Sequence, residues 1–250
     1  MGGCISIARI LARLDGYLDQ KDFPAAERHL SYWLAEAVSS GDARTELAVR
    51  NEQLGLLRKL GRREEALAAA EETLGRIRAL GLSGTVGAAT ACLNCATVCK
   101  AFSLAERALA LYLEAREVYE RELEVDDPRL GGLYNNMALA LVDLGRFPEA
   151  NELYRRAIAV MERAPRGELE IAITYLNMAD AAEAEQGALA ADETVRAQLA
   201  AARALLDSHT ERDGYYAFVC EKCASVFEYY GQFAYAAELS LRAGRIYEGT

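Results

Sequence analysis

Three cysteines stand within the stretch ACLNCATVCK (residues 91–100), at Cys92, Cys95 and Cys99, and a second Cys-x-x-Cys lies far downstream at Cys220 and Cys223. Thiols at such spacings are the raw material of a zinc site or of a redox pair. The rest of the chain does not complete either site. There are only two histidines, His29 and His209, and neither has a partner at a spacing that builds a dyad or a metal site. We expect both at a surface or a helix end. No Gly-x-x-x-x-Gly-Lys-Ser/Thr or Gly-x-Gly-x-x-Gly is present, so nothing signals a phosphate cradle. Carboxylates are abundant, but no acid–base or nucleophile constellation is formed from them. The residues therefore predict no enzyme, no metal and no cofactor.

A spacing of three and then four is also one face of an α-helix, which moves the question to the elements that would carry these side chains. Laid over itself, the chain repeats. The segment DLGRFPEANELYRRAIAVME at 143–162 is matched 42 residues earlier by AFSLAERALALYLEAREVYE and 86 residues later by YYGQFAYAAELSLRAGRIYE. In all three an alanine (Ala108, Ala150, Ala236) is followed seven residues on by another (Ala115, Ala157, Ala243). Two weaker copies surround Phe23, Pro24 and Ala26, and Gly61 and Ala66. One small position is alanine six times, at Ala26, Ala66, Ala108, Ala150, Ala197 and Ala236, in steps of 40, 42, 42, 47 and 39. A recurrent alanine marks a close helix crossing, where a larger side chain would hold the helices apart.

Each copy reads as a helix ending near Gly61, Ser103, Gly145 or Gly231, suited to a helix C-terminus, followed at once by a second helix. Pro24 and Pro148 stand where a first helical turn tolerates proline. We delimit six helix pairs at about 4–38, 43–79, 86–122, 130–163, 168–208 and 213–248. In the fifth, AEQGALAADETV is expected to lengthen the inner turn by six residues. Nothing alternates with the period of a strand. The fold class predicted is all-α, an α-α solenoid in which each pair buries its face on its neighbours, running as a single domain over residues 1–250.

The pattern resembles the tetratricopeptide repeat. The fourth copy carries it best: Tyr134, Met137, Ala138, Gly145, Ala150, Tyr154 and Ala157 occupy signature places, with Leu141 standing where an aromatic is usual. The period of about 42 and the segment DDPRLGGLYNNMALALVDLGRFPEANELYRRAI are similar to the kinesin-light-chain type of repeat. The resemblance implies a right-handed superhelix whose first helices line a concave groove, and a peptide- or protein-binding adaptor or receptor. It also answers the cysteine question. Cys92, Cys95 and Cys99 align with Tyr134, Met137 and Leu141, and Cys220 and Cys223 with the first two of these, so all five are expected in the core as small hydrophobes. The two clusters lie three units apart, on the order of 30 Å for helices packed at about 8–10 Å, too far to share an ion.

In this repeat family the first helix points its positions 2, 5, 6, 9, 12 and 13 into the groove. Position 6 is Asn94, Asn136 and Asn177, and position 5 is Asn51 and Asn135. A carboxamide both donates and accepts, so the row is able to grip a peptide backbone or to satisfy neighbouring carbonyls. Thr97 shares this face. The charges along it run from basic (Arg58, Lys59, Lys100) to acidic (Asp143, Asp180, Glu183, Glu221, Glu228), either steering a bipolar ligand or forming an ordinary solvated surface. The clamp with which some tetratricopeptide adaptors hold chaperone C-termini is not supplied, since Gly132 and Asn136 stand where its cations belong.

The final helix is apolar over most of its circumference. Phe233, Tyr235, Leu239, Ile246 and Tyr247 are candidates for an interface, with a homodimer through the last repeat as one reading and a tolerated apolar end as the other. A scaffold assembling through this end or the convex face, with an unused groove, is the alternative function. The formal charge of −10 argues against nucleic acid and anionic lipid as partners. No run approaches a membrane span, and Arg9 and Arg13 interrupt the N-terminal apolar residues, so a cytoplasmic protein with free thiols is expected. The start MGGCIS also fits a loose acylation pattern, with Gly2 and Cys4 as its sites and a plain helix start as the other reading.

Overall fold

A computed structural model describes residues 6–248; the acylation pattern at Gly2 and Cys4 lies outside them. Among the described residues there are twelve α-helices and no strand. They are α1 (Ile7–Asp19), α2 (Phe23–Ser40), α3 (Ala43–Lys59), α4 (Arg63–Ala79), α5 (Val86–Ala101), α6 (Ala105–Glu122), α7 (Pro128–Asp143), α8 (Phe147–Met161), α9 (Glu168–Gln186), α10 (Ala188–Ser208), α11 (Gly214–Tyr229) and α12 (Phe233–Tyr247). They follow one another as six pairs, and short connections make the members of a pair antiparallel neighbours. The chain divides into two compact units, one ending at Glu122 and the other beginning at Leu123.

The turns inside the pairs share one device. Lys21, Gly61, Ser103, Gly145 and Gly231 all take a left-handed backbone. In each case the next N–H reaches back five residues along the chain: Asp22 to Tyr17 O, Arg62 to Leu57 O, Leu104 to Cys99 O, Arg146 to Leu141 O and Gln232 to Phe227 O, at 2.8–3.1 Å. This bond satisfies a carbonyl that the helix end leaves open, and the left-handed residue folds the chain back on itself.

The fifth pair differs from the sequence expectation. The six extra residues do not lengthen the turn; they are wound into helix. α9 and α10 grow to 19 and 21 residues, and Gly187 alone joins them, with φ 80° and ψ 158°. The inserted Ala, Glu and Gln are strong helix formers, so extending the helices costs less than an open loop. The register of the recurrent alanine shifts accordingly. Ala26, Ala66, Ala108, Ala150 and Ala236 are buried, but Ala197 is exposed, and Ala191 takes the buried place in the fifth pair.

In the first unit α3 packs on α2, α4 and α5, and α5 on α4 and α6. Ile10, Leu14, Ala26, Leu30, Val49 and Leu56 form one core cluster, flanked by Tyr17 and Trp33. Each fully buried leucine contributes about 1.5–3 kcal/mol. The unit also buries a charge. Glu46, 2% exposed, accepts from Arg50 Nε at 2.9 Å and from Arg76 Nε and an Arg76 terminal nitrogen at 2.7 and 2.8 Å, tying α3 to α4.

In the second unit α9 packs against α7, α8, α10 and α11, and α11 against α12. Its core holds Leu169, Leu176, Leu199, Leu206, Tyr216, Phe227 and Leu239 among others. Two glycines fit around Met161. A Cβ on Gly167 would meet the Met161 carbonyl oxygen at 1.9 Å, whereas one on Gly131 would meet only the Met161 side chain.

Candidate binding face

The five described cysteines are buried free thiols, on the inward faces of α5 and α11. Burial pushes the Cys92 thiol up to about 11 and the Cys223 thiol up to about 12, and raises Cys95, Cys99 and Cys220 as well. A protonated, buried thiol is neither nucleophile nor ligand. Among the described residues no group of three or more His, Cys, Asp or Glu is placed to hold a metal ion, and no helix is long and apolar enough to cross a membrane.

His209 stands at a helix end, as expected, closing α10, whereas His29 is neither at a surface nor at a helix end. His29 is half-buried, its Nε2 2.9 Å from the Ile10 carbonyl oxygen, with its ring edge-on to Tyr17 and Trp33. It fastens α2 to α1. His209 is buried, with Nδ1 2.8 Å from a Glu168 oxygen and its ring stacked on Tyr216. It fastens the end of α10 to the start of α9.

The candidates in the first unit are Asn51, Arg58, Lys59, Asn94, Thr97 and Lys100. Arg58 and Lys59 are exposed in the last turn of α3, and the Lys59 ammonium lies 5.8 Å from the centre of the Phe23 ring. Asn51 is half-buried with its side-chain oxygen enclosed and unpartnered. Beside it, burial and the neighbouring Asp15 hold Glu52 above the ordinary carboxyl range. Thr97 is engaged internally. Its hydroxyl donates to the Leu93 carbonyl at 2.9 Å and stands 3.1 Å from the Tyr112 hydroxyl, so it braces α6 rather than facing a ligand. Asn94 is half-buried and, among the described residues, makes no side-chain hydrogen bond.

In the second unit the first helices α7, α9 and α11 touch in sequence and form a wall. Asn135 is buried, and Asn177 Nδ2 donates to its side-chain oxygen at 3.0 Å. These two asparagines hold α9 on α7, which removes both from any row of open carboxamides. Asn136, one residue on, is half-buried and makes no such bond among the described residues. Asp180 and Glu183 on α9 both face Tyr230 of α11, whose hydroxyl lies 2.9 Å from Asp180 Oδ1 and 3.1 Å from Glu183 Oε2. Asp143, Glu221 and Glu228 are exposed, and Glu221 accepts from the Tyr247 hydroxyl at 3.4 Å. This wall also carries exposed aromatic rings: Tyr229 is 70% exposed beside Glu183, and Tyr215 stacks on the exposed Phe218.

Of the interface candidates on α12, Phe233 and Tyr247 are exposed and Ile246 half-buried, but Tyr235 and Leu239 belong to the core. The Tyr235 ring meets Phe227 edge-on at 4.8 Å, and its hydroxyl donates to Asp207 at 2.9 Å. Both are corrected from interface to core, because the helix turns that side toward α11. Leu241, 62% exposed two turns from Phe233, takes their place on the outer side.

The spacing of the helix pairs, their shared turn and the buried alanines at each crossing are those of a known repeat. A family profile described as tetratricopeptide repeat matches residues 87–163, which span α5 to α8. The chain carries tetratricopeptide repeats. The crystal structure of BtubC (BKLC) from P. vanneervenii is similar with a TM-score of 0.66 and 21% identity, over 82% of this chain and 82% of that one. A kinesin light chain protein of nearly identical TPR-like repeats from Podosopora anserina is similar with a TM-score of 0.55 and 17% identity, over 81% of this chain and 95% of that one. At these identities the likeness is one of fold. No curated protein sequence matches. A tetratricopeptide solenoid supports a protein-interaction or scaffold role, and repeats of this kind are in general not enzymes. Asn94 and Asn136 both lie inside the tetratricopeptide match, at equivalent places in successive repeats.

Proposed function

We propose that the protein is an adaptor that binds a peptide or a segment of another protein against its first helices. The observation that carries this reading is the pair Asn94 and Asn136. Each is a half-buried carboxamide with no internal side-chain bond, repeated 42 residues apart at a position that this repeat class turns toward its ligands. A carboxamide donates and accepts at once, so it suits the backbone of an extended chain whatever that chain's side chains are. Leaving such groups unpaired is costly unless water or a partner completes them.

Affinity capture from native-host lysate, with identification by mass spectrometry, tests the reading when the wild type is run beside Asn94→Ala/Asn136→Ala. Asn177 is left intact, because its substitution would break the bond to Asn135 and confuse folding with binding. A partner held by the wild type and lost by the double variant supports an adaptor. A partner retained equally by both moves the function away from this face.

A second reading, assembly through α12, is favoured by one observation: Phe233 and Leu241 are 66% and 62% exposed on the outer side of that helix. Phe233→Glu/Leu241→Glu then converts a dimer to a monomer in light scattering. An unchanged mass removes this reading.

A further inference from the structure

We propose that the cavity enclosed by α4, α5 and α6 binds a free aromatic amino acid, a small-molecule site that is independent of the adaptor reading. The cavity, about 150 Å³, has apolar walls from Ile77 of α4, from Ala88, Ala89 and Cys92 of α5, and from Leu111 and Val118 of α6. An apolar cavity of about this volume accepts a benzene ring.

Other repeats supply such a ring from their own chain. In the fourth pair, α7 and α8, the place of Cys92 is taken by Tyr134. That side chain is buried, its hydroxyl accepts from Arg156 at 2.8 Å, and the guanidinium carbon lies 4.3 Å from the ring centre. The sixth pair, α11 and α12, has a cysteine at this place, Cys220, but Tyr216 stands one turn before it. Tyr216 is fully buried and its hydroxyl accepts from Arg242 at 3.0 Å. In the third pair, α5 and α6, Cys92 is small and the residue one turn before it is Ala88, so neither place brings a ring. The open volume matches the aromatic side chain that this pair lacks.

The charge on the second helix is inverted as well. Arg156 and Arg242 stand at equivalent places, 86 residues apart, and the residue 42 before Arg156 is Glu114. Glu114 lines the cavity from α6, and Arg78 lines it from α4. Both act on the Cys92 thiol, the Glu114 charge raising it and the Arg78 charge lowering it. Among the described residues they form no ion pair with each other. A ring entering here meets an anion where the other two pairs have an arginine, so the ligand must bring the positive charge itself. An α-ammonium group answers Glu114, and the α-carboxylate on the same carbon answers Arg78. The aromatic side chain of a partner protein brings the ring without these two charges.

The mouth is built in advance. Ser83 and Gly84, in the turn between α4 and α5, line it, and Arg121 of α6 donates to the Gly84 carbonyl at 3.1 Å. The Thr85 hydroxyl accepts from the Ala88 N–H at 3.2 Å and donates to the Leu82 carbonyl at 2.8 Å. The turn is thereby fixed to both neighbouring helices, and a ligand pays little to order it.

The test is a titration of the ¹⁵N-labelled full chain with L-phenylalanine, followed by heteronuclear NMR. Run beside it are N-acetyl-phenylalanine amide, which has the ring and neither charge, 2-phenylethylamine and 3-phenylpropanoate, which have one charge each, and glycine, which has both charges and no ring. The expected result is saturable shifts around Ala88, Cys92 and Leu111 with phenylalanine, weaker binding of the two singly charged compounds, and no binding of glycine. Arg78→Gln and Glu114→Gln, both at exposed positions, each weaken phenylalanine binding about two- to fivefold. Cys92→Phe fills the cavity from within and abolishes binding while circular dichroism stays native; if that variant does not fold, the two exposed substitutions decide. Three results each overturn the proposal: no saturable shift with phenylalanine, unchanged affinity in both charge variants, or a folded Cys92→Phe that still binds. Binding of the neutral amide as tightly as phenylalanine also overturns it, and assigns the cavity to a partner's aromatic side chain.

Discussion

Two tyrosines at equivalent places offer opposite stability effects from the same substitution. Tyr112 and Tyr154 are both buried, at 1% and 0% exposure. The Tyr112 hydroxyl is 3.1 Å from Thr97 Oγ1, whereas the Tyr154 hydroxyl has no partner. Removing a hydroxyl in a good bond costs about 0.5–1.5 kcal/mol; Tyr112→Phe belongs at the lower end, because Thr97 keeps its bond to the Leu93 carbonyl. Removing an enclosed hydroxyl without a partner relieves a penalty of about 1–3 kcal/mol, less the contacts of one oxygen atom. Tyr154→Phe should therefore stabilise its unit by about 0.5–1.5 kcal/mol. With a urea m-value of about 1.5 kcal/mol/M for a unit of this size, the two midpoints move in opposite directions by about 0.3–1 M. The single tryptophan, Trp33, reports the first unit by fluorescence and circular dichroism reports both, so the two transitions are separable. Equal destabilisation by the two substitutions would refute the argument, since Tyr154 would then have a partner that its surroundings do not provide.

Glu46 is held below the ordinary value of 4.5 chiefly by its bonds to Arg76, with Arg50 adding to them. A depressed carboxyl contributes stability that is complete above the unfolded value and is lost as pH falls through the folded one. Glu46→Gln should lower stability at neutral pH by about 2–4 kcal/mol and flatten the acid limb of the stability–pH curve, measured by urea titrations from pH 7 to pH 3. Gly167→Ala should cost about 1–3 kcal/mol in thermal unfolding, because its Cβ meets a backbone oxygen, whereas Gly131→Ala meets a side chain that turns aside and costs less. The five described thiols should resist a thiol reagent at pH 8 until the protein is unfolded; rapid labelling of any of them in the native state would contradict their burial.

The helix pairs were legible because their determinants are local. A small residue at each crossing and a left-handed residue at each turn recur at fixed distance, and glycine at 61, 145 and 231 announces the turn directly. Lys21 and Ser103 make the same turn without that announcement, and only their place in the repeat reveals it. The fifth pair was misread for the opposite reason. A segment rich in alanine and glutamate reads equally as a long turn or as more helix, and the choice was made by packing, which buried Ala191 and left Ala197 in solvent.

The binding face was legible only as a set of positions. Asn94, Asn136 and Asn177 are equivalent in sequence, yet Asn177 is consumed by Asn135 across two helices, a pairing between residues 42 apart that spacing alone does not disclose. Thr97 and Asp180 occupy the same repeat position, and their neighbours decide their fates. Thr97 meets the hydroxyl of Tyr112 and becomes structural, while Asp180 meets the hydroxyl of Tyr230 across on α11. A repeat fixes where a side chain points, and the helix packed opposite fixes whether anything is already there to meet it. The recognition chemistry proposed for this solenoid lies where a repeat position carries a polar group that its neighbours leave without a bond, as at Asn94 and Asn136.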